Sequence, residues 1–372
     1  MKIKKIYFKD VGPLKNELSP ICFYDNWDNT PQNSVLISGP NGSGKSYLMT
    51  SISYLWEALG NWLYNRKVVS KGNKIYEWFM NKCLNIAIVL EDVPDFENNN
   101  EKNKTVCLFF CNGDWREKVL KEENNIDYYI GEEHNLDIAL KNMIAFTPLR
   151  DIVSLNKEQK RDFSFFSKWG EIYKKFIISR EFNETPNMIY LDAEARNWKI
   201  AKKNIGQIKG EDLSKRWIFK YEASDDWNTQ LESSLINLSV TNRGKYEQII
   251  DNLNYFFKGK KIQNIIREDM RIWVKIDGTI LNEHLLDELS AGERQVLIMI
   301  YNVSRWLEKG GIAIIDEADL FLHSSLIDST ISTLEKIVKE KNGQLIISSH
   351  SKDLWERYEN RRIRIELGDI FI

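Results

Sequence analysis

The 372-residue chain has no long hydrophobic run: nowhere does it approach the roughly 18 consecutive apolar residues of a membrane-spanning helix. The opening MKIKKIYFKD alternates Lys with Ile, Tyr and Phe. It lacks the unbroken apolar core of a signal peptide and suits an edge strand with one wet face. Charge of one sign is scarce as well. Lys and Arg total 52 against 54 Asp and Glu, a net charge of −2, so no global field favours nucleic acid or a membrane, and only a local basic patch stays open. The four cysteines (Cys22, Cys83, Cys107, Cys111) form no C-x-x-C pair, and the four histidines are scattered, which leaves no zinc pattern. Cys107 and Cys111 stand four apart in TVCLFFC and share one strand face, as two thiols turned to a core would. All seven prolines lie at or before Pro186, so nothing interrupts helices after it. These absences point to a cytoplasmic protein with no membrane partner.

What is present is ordinary for a soluble globular chain: 42% apolar and 28% charged residues, in a length that fits one large or two ordinary domains. IKKIYF, ICFYDNW and SVLISGP read as strands, followed by a helix from about Lys45 into the Tyr64 region. LNIAIVLEDV and TVCLFFCNGDW read as strands flanking PDFENNNEKNK, a long exposed hairpin loop. NMIAF reads as a strand running into TPLRD. Residues 155–265 read as mainly helical, without the sustained heptads of a coiled-coil arm. RIWVKIDGTILNEHL is a hairpin about Asp277-Gly278. The last third alternates helix and strand, the mark of a parallel sheet. The expected fold is α/β: a mixed or parallel sheet around a phosphate loop, with an antiparallel N-terminal β part and an inserted, mainly helical lobe. Residues 1–150 would form the nucleotide-binding lobe, 151–270 the helical lobe, and 271–372 a C-terminal part completing the same domain.

GPNGSGKS, from Gly39 to Ser46, fits G-x-x-x-x-G-K-[ST] in full, after an apolar strand and at the start of a helix. In that context Gly39, Pro40, Asn41, Gly42, Ser43 and Gly44 wrap backbone N–H groups around phosphates. Lys45 neutralises their charge, and Ser46 ligates Mg²⁺. GIAIIDEADLFLH, residues 311–323, begins as a strand buried on both faces and ends in Asp316-Glu317, where α/β sheets bind ligands. Asp316 can hold Mg²⁺ through water, and Glu317 can act as base toward the attacking water. An Asp-Glu pair capping a helix competes with this until the phosphate loop is set beside it. QLIISSH delivers His350 at another strand end, within reach of a γ-phosphate. LDELSAGERQVLIMI, residues 286–300, places the Ser290-Ala291-Gly292 turn and Glu293 at the head of an apolar helix, a second phosphate-holding pattern.

The order of these four motifs resembles the ABC-type ATPase head, where they are Walker A, signature, Walker B and switch histidine. LSAGERQ and NGQLIISSHSKDLWE are similar to the soluble branch with RecF, SMC heads, DNA-repair ATPases and the OLD-type ATPases of anti-phage defence. The resemblance implies ATP and Mg²⁺ as ligands and a two-fold homodimer with composite sites. In it Ser290, Gly292 and Glu293 of one chain close over the ATP held by the other. No acidic cluster with nuclease-type metal spacing is present, which leaves room for a separate effector subunit. DNA would meet at most local contacts from lysines near 199–209 and 258–261, runs that otherwise serve as solvated helix faces, and aromatics near Tyr24 and Trp27 could stack on adenine. The sequence departs from the family where a glutamine loop is expected: TPLRD follows NMIAF, leaving Thr147 or Arg150 to substitute. His323-Ser324 replaces the usual His-Pro step, which makes His323 a loop residue at the dimer seam. A DNA-repair ATPase is the nearest alternative. A transporter motor is disfavoured by Ala291 and Glu293, and a dead clamp by the retained Glu317.

Overall fold

The computed structural model describes residues 1–14, 19–25, 27, 29–65, 72–97, 103–134, 150–151, 162–180, 185–207, 209–257, 259–263, 268–278, 283–359 and 363–368. The NMIAF strand and Thr147 lie outside them.

Along the chain come β1 (Lys2–Val11), β2 (Ile21–Cys22), β3 (Ser34–Ser38), α1 (Lys45–Asn65), α2 (Lys74–Lys82), β4 (Cys83–Val93) and β5 (Lys104–Cys111). Next are α3 (Gly113–Glu122), β6 (Tyr128–Glu133), β7 (Arg150–Asp151), α4 (Asp162–Phe176), β8 (Met188–Leu191) and β9 (Ile218–Lys220). Then follow α5 (Leu231–Thr241), α6 (Arg243–Asn254), β10 (Lys260–Ile262), β11 (Trp273–Ile276) and β12 (Glu283–Leu285). The chain closes with α7 (Ala291–Trp306), β13 (Ile312–Ile315), α8 (Ser324–Glu340), β14 (Gln344–Ser348), α9 (Lys352–Glu359) and β15 (Ile363–Glu366).

Six strands form a wholly parallel sheet in the order β15-β3-β14-β13-β8-β9. Its inner strands SVLIS, QLIIS, IAII and MIYL are buried at every position, because helices cover both faces. Side-chain alternation sorts them. Val35, Ile37, Ile314 and Ile346 join α1 residues such as Leu48 and Ile52 in one core. Leu36, Ile315, Leu345 and Ile347 join α7 and α8 in the other. The result is a three-layer α/β/α body.

A second sheet, β2-β1-β4-β5-β6-β7, is mainly antiparallel, with β5 and β6 parallel. The expected edge strand β1 is instead flanked by two-residue β2 on one side and paired along its length with β4, so its lysines are partly covered. Cys107 and Cys111 do share a face, packed with Tyr7, Ala87 and Trp115. The hairpin of β4 and β5 forms as read, and so does that of β11 and β12.

The stretch read as mainly helical contains strands as well. It supplies α4, α5 and α6, but also β8 and β9, which extend the parallel sheet beyond β13. The central sheet therefore draws strands from all three expected segments. The short run NMIYL, held by Asn187 side-chain bonds to Arg216 O and Trp306 O at 2.7 Å, is a strand that helix-forming neighbours obscure. Among the described residues no helix is long and apolar enough to cross a membrane.

Candidate functional site

β3, β14 and β13 lie side by side and run the same way, so their carboxyl ends deliver three motifs to one edge. The loop after β3 turns through left-handed glycines: φ is 144° at Gly39 and 97° at Gly44. A Cβ on Gly39 would sit 2.5 Å from Leu367 O, and one on Gly44 2.7 Å from the Leu14 side chain, so only glycine fits at either place. Lys45, 6% exposed, arches back over the loop and donates to Gly39 O at 2.9 Å and Pro40 O at 3.0 Å. Burial lowers its pKa, against the opposing pull of Asp316 and Glu317. Ser43 Oγ is buried and has no hydrogen-bond partner among the described residues. An unsatisfied buried hydroxyl beside a lysine whose partners are only carbonyls is a donor set suited to a polyphosphate. Pro40, Asn41, Gly42 and Ser46 are exposed around it.

From β13 the chain passes into Asp316, buried, and Glu317, half-buried with φ 46°. Ser348 at the end of β14 joins them. Its hydroxyl donates to Asp316 Oδ1 and accepts from the Glu317 amide at 2.7 Å. Asp316 Oδ2 takes no hydrogen bond from any described residue, which leaves it available to a cation. A cleft of about 450 Å³ adjoins this point, lined by Ser46, Tyr190, Asp192, Glu194, Asp316 and Glu317 among others. A hydroxyl and carboxylates on one wall can hold a divalent cation and a water. His350, exposed, follows β14 between the two loops but does not line the cleft.

Ser290, Gly292 and Glu293 are also outside the cleft. They head α7 in a capping box: Ser290 Oγ accepts from Glu293 N at 3.3 Å, and Glu293 Oε2 accepts from Ser290 N at 2.8 Å. Glu293 pairs with Lys260 at 2.9 Å; that partner and the capping bonds hold its carboxyl low, although burial acts the other way. A Cβ on Gly292 would meet Phe321 O at 2.9 Å, so glycine here also serves close packing. His323 caps α8 by accepting from Ser325 N, a local structural task.

Sequence reading missed Ser348 and Asp192. Ser348 was signalled by a serine pair ending an otherwise apolar strand. Asp192 was hidden because β8 itself went unread. β8 flanks β13 on the side away from β14 and brings Asp192 to the cleft. Burial raises the Asp192 pKa, and Asp316 adds to the effect.

A family model described as an AAA ATPase domain matches residues 1–354. The chain belongs to the AAA ATPase domain family. It is an ATP-hydrolysing protein of that family. The retron Vc95 probable ATPase of Vibrio cholerae serotype O1 biovar El Tor is 22% identical over 420 aligned residues, covering 97% of this chain and 76% of that protein. The retron Ec83 probable ATPase of Escherichia coli is 24% identical over 221, covering 55% of this AAA ATPase but only 39% of the relative. Among solved structures, the SMC head domain from Thermotoga maritima is 16% identical with a TM-score of 0.40, covering 96% of this chain and 92% of that one.

Proposed function

We propose that this AAA ATPase works as an ATP-sandwiched homodimer that controls a separate effector subunit, with anti-phage defence as its setting. Residues 39–46 hold the phosphates of ATP: the Lys45 ammonium offsets their charge, and the loop amides and Ser43 hydroxyl donate to them. Ser46 and Asp316 would hold Mg²⁺, which supplies charge neutralisation on the phosphate oxygens when bound. Glu317, fixed by its amide on Ser348, accepts a proton from the attacking water, and His350 donates to the γ-phosphate.

One observation supports the dimer above others. The cleft contains Ser46, Asp316 and Glu317 but not Ser290 or Gly292, so the signature turn is free to serve the site of a second copy. Two relatives named as retron ATPases support a setting in which the ATPase is one part of a larger system. Of the lysines open to DNA contact, Lys202 is paired with Asp225 and Lys260 with Glu293. Trp27, 94% exposed, is open to stack on a base such as adenine.

Complementation tests the dimer. Lys45→Ala and Ser290→Arg homodimers each have two broken sites. Mixing equal amounts with free exchange places both lesions in one site of each mixed dimer, leaving the other site intact. Roughly a quarter of wild-type turnover then returns if sites fire independently. Full activity of Ser290→Arg as a monomer would refute the composite site.

A further inference from the structure

Beneath the Asp316-Glu317 loop lies a charged side chain that the roles above do not use. Arg196, four residues after Asp192, is 1% exposed. A guanidinium so deep in the protein normally faces a carboxylate, because an unpaired buried charge costs several kcal/mol. Arg196 instead spends its donors on backbone carbonyls and one amide. Nη1 donates to Asp316 O at 2.7 Å and Leu191 O at 3.3 Å, and Nη2 to Glu317 O at 2.8 Å. Nε donates to Gln295 Oε1 on α7 at 2.6 Å, and Gln295 Nε2 returns a bond to Arg196 O at 2.8 Å. Burial pushes the Arg196 pKa down to about 10, while Asp316, Asp192 and Glu317 hold it up.

Two consequences follow for Glu317. Its backbone is left-handed, φ 46°, a conformation costing a non-glycine residue on the order of 1–3 kcal/mol unless its surroundings impose it. Here Ser348 grips the Glu317 amide and Arg196 its carbonyl, so the peptide groups on both sides of the side chain are fixed. The second consequence runs to α7. Gln295 lies on the helix that Ser290 caps, 4% exposed and wholly engaged with Arg196. Near the same end of α7, Gly292 presses against Phe321 O, in the loop that continues from Glu317. The start of α7 and the loop after β13 are therefore joined at two points, one a rigid guanidinium fork.

We propose that Arg196 is a positioning residue that couples the Ser290–Gly292 turn to Glu317 of the same chain, so that a ligand docking on the turn aligns the catalytic carboxylate. The proposal rests on Glu317 being that carboxylate. It requires no bond to be made or broken by Arg196 itself. Displacement of α7 reaches Gln295, then the guanidinium, then the carbonyls of Asp316 and Glu317. The links to Gln295 and to Asp316 O are buried hydrogen bonds, where a shift is poorly absorbed by solvent, and only the last, to Glu317 O, is partly buried.

The test uses the full chain with ATP and Mg²⁺. Gln295→Met keeps the side-chain volume and removes the link to α7 while leaving the Arg196 bonds to Asp316 O and Glu317 O. Arg196→Lys keeps a cation for those carbonyls but cannot also hold Gln295. Turnover is measured per molecule competent to bind a fluorescent ATP analogue, so misfolded protein is not counted. The expected result is a fall in kcat on the order of 100-fold in both variants, as for small misplacements of catalytic groups, with analogue affinity unchanged. A purely structural arginine would lower the melting temperature and leave kcat per competent molecule at the wild-type value; that result in either variant overturns the proposal. Glu317→Gln, measured alongside, separates the two ideas. If it hydrolyses ATP normally the Glu317 assignment fails, whereas an inactive Glu317→Gln beside a fully active Gln295→Met sinks the coupling alone.

Discussion

Replacing Ser348 by Ala removes one oxygen and two hydrogen bonds. The oxygen is fully buried, and its partners are the Asp316 carboxylate and the Glu317 amide at 2.7 Å. Leaving a buried polar group unsatisfied costs about 1–3 kcal/mol, toward the upper end for a charged one. Water from the adjoining cleft will restore part of the lost pairing, so the net destabilisation should be about 2 kcal/mol. Against a typical total of about 5–15 kcal/mol this is readily resolved in a urea titration, with the midpoint shifted and the slope unchanged. Turnover should fall as well, because the Glu317 amide loses its anchor and only the carbonyl, held by Arg196 and the Leu320 amide, stays fixed. A variant within about 0.5 kcal/mol of wild type, the usual band for inconsequential surface changes, and fully active would show that Ser348 does not brace the site.

Lys45→Ala should abolish ATPase activity with the melting temperature retained, since the ammonium touches only loop carbonyls; unchanged turnover would remove residues 39–46 from the site. Gly39→Ala, forced toward Leu367 O at 2.5 Å and into a left-handed φ, should lose about 1–3 kcal/mol and most ATP affinity, read by calorimetry with and without nucleotide. Trp217→Ala breaks a stack with Trp56 at 4.5 Å and the Trp217 indole bond to Trp56 O at 3.0 Å, while the bond from the Trp56 indole to the backbone carbonyl at 217 can persist; neither residue lines the cleft. It should cost about 3–5 kcal/mol while turnover per folded molecule stays normal.

The legible parts of this chain were those fixed by local chemistry. A strand buried on both faces must read as a continuous apolar run, and β3, β13 and β14 do. A phosphate-type turn needs glycines at set positions, and Gly39 and Gly44 proved irreplaceable for geometric reasons visible only in space. β8 was illegible because four residues, MIYL, give periodicity little to work on beside helix-rich neighbours. Arg196 was illegible for a different cause. Apart from Gln295, its partners are main-chain carbonyls of Leu191, Asp316 and Glu317, and carbonyls leave no mark in a sequence. The Ser290–Gly292 turn shows the opposite hazard. Ser290 and Glu293 also satisfy a capping box, so the same letters serve a helix end whether or not a phosphate ever docks there.

The most direct measurement is the fate of ATP on Glu317→Gln. Wild type and variant are each given ATP and Mg²⁺, and bound nucleotide, released phosphate and molar mass by light scattering are followed together. The variant should retain unhydrolysed ATP in a species of two chains while wild type releases phosphate and returns to the smaller form. Phosphate release by the variant at the wild-type rate, or ATP held stably by a single chain, would contradict the account.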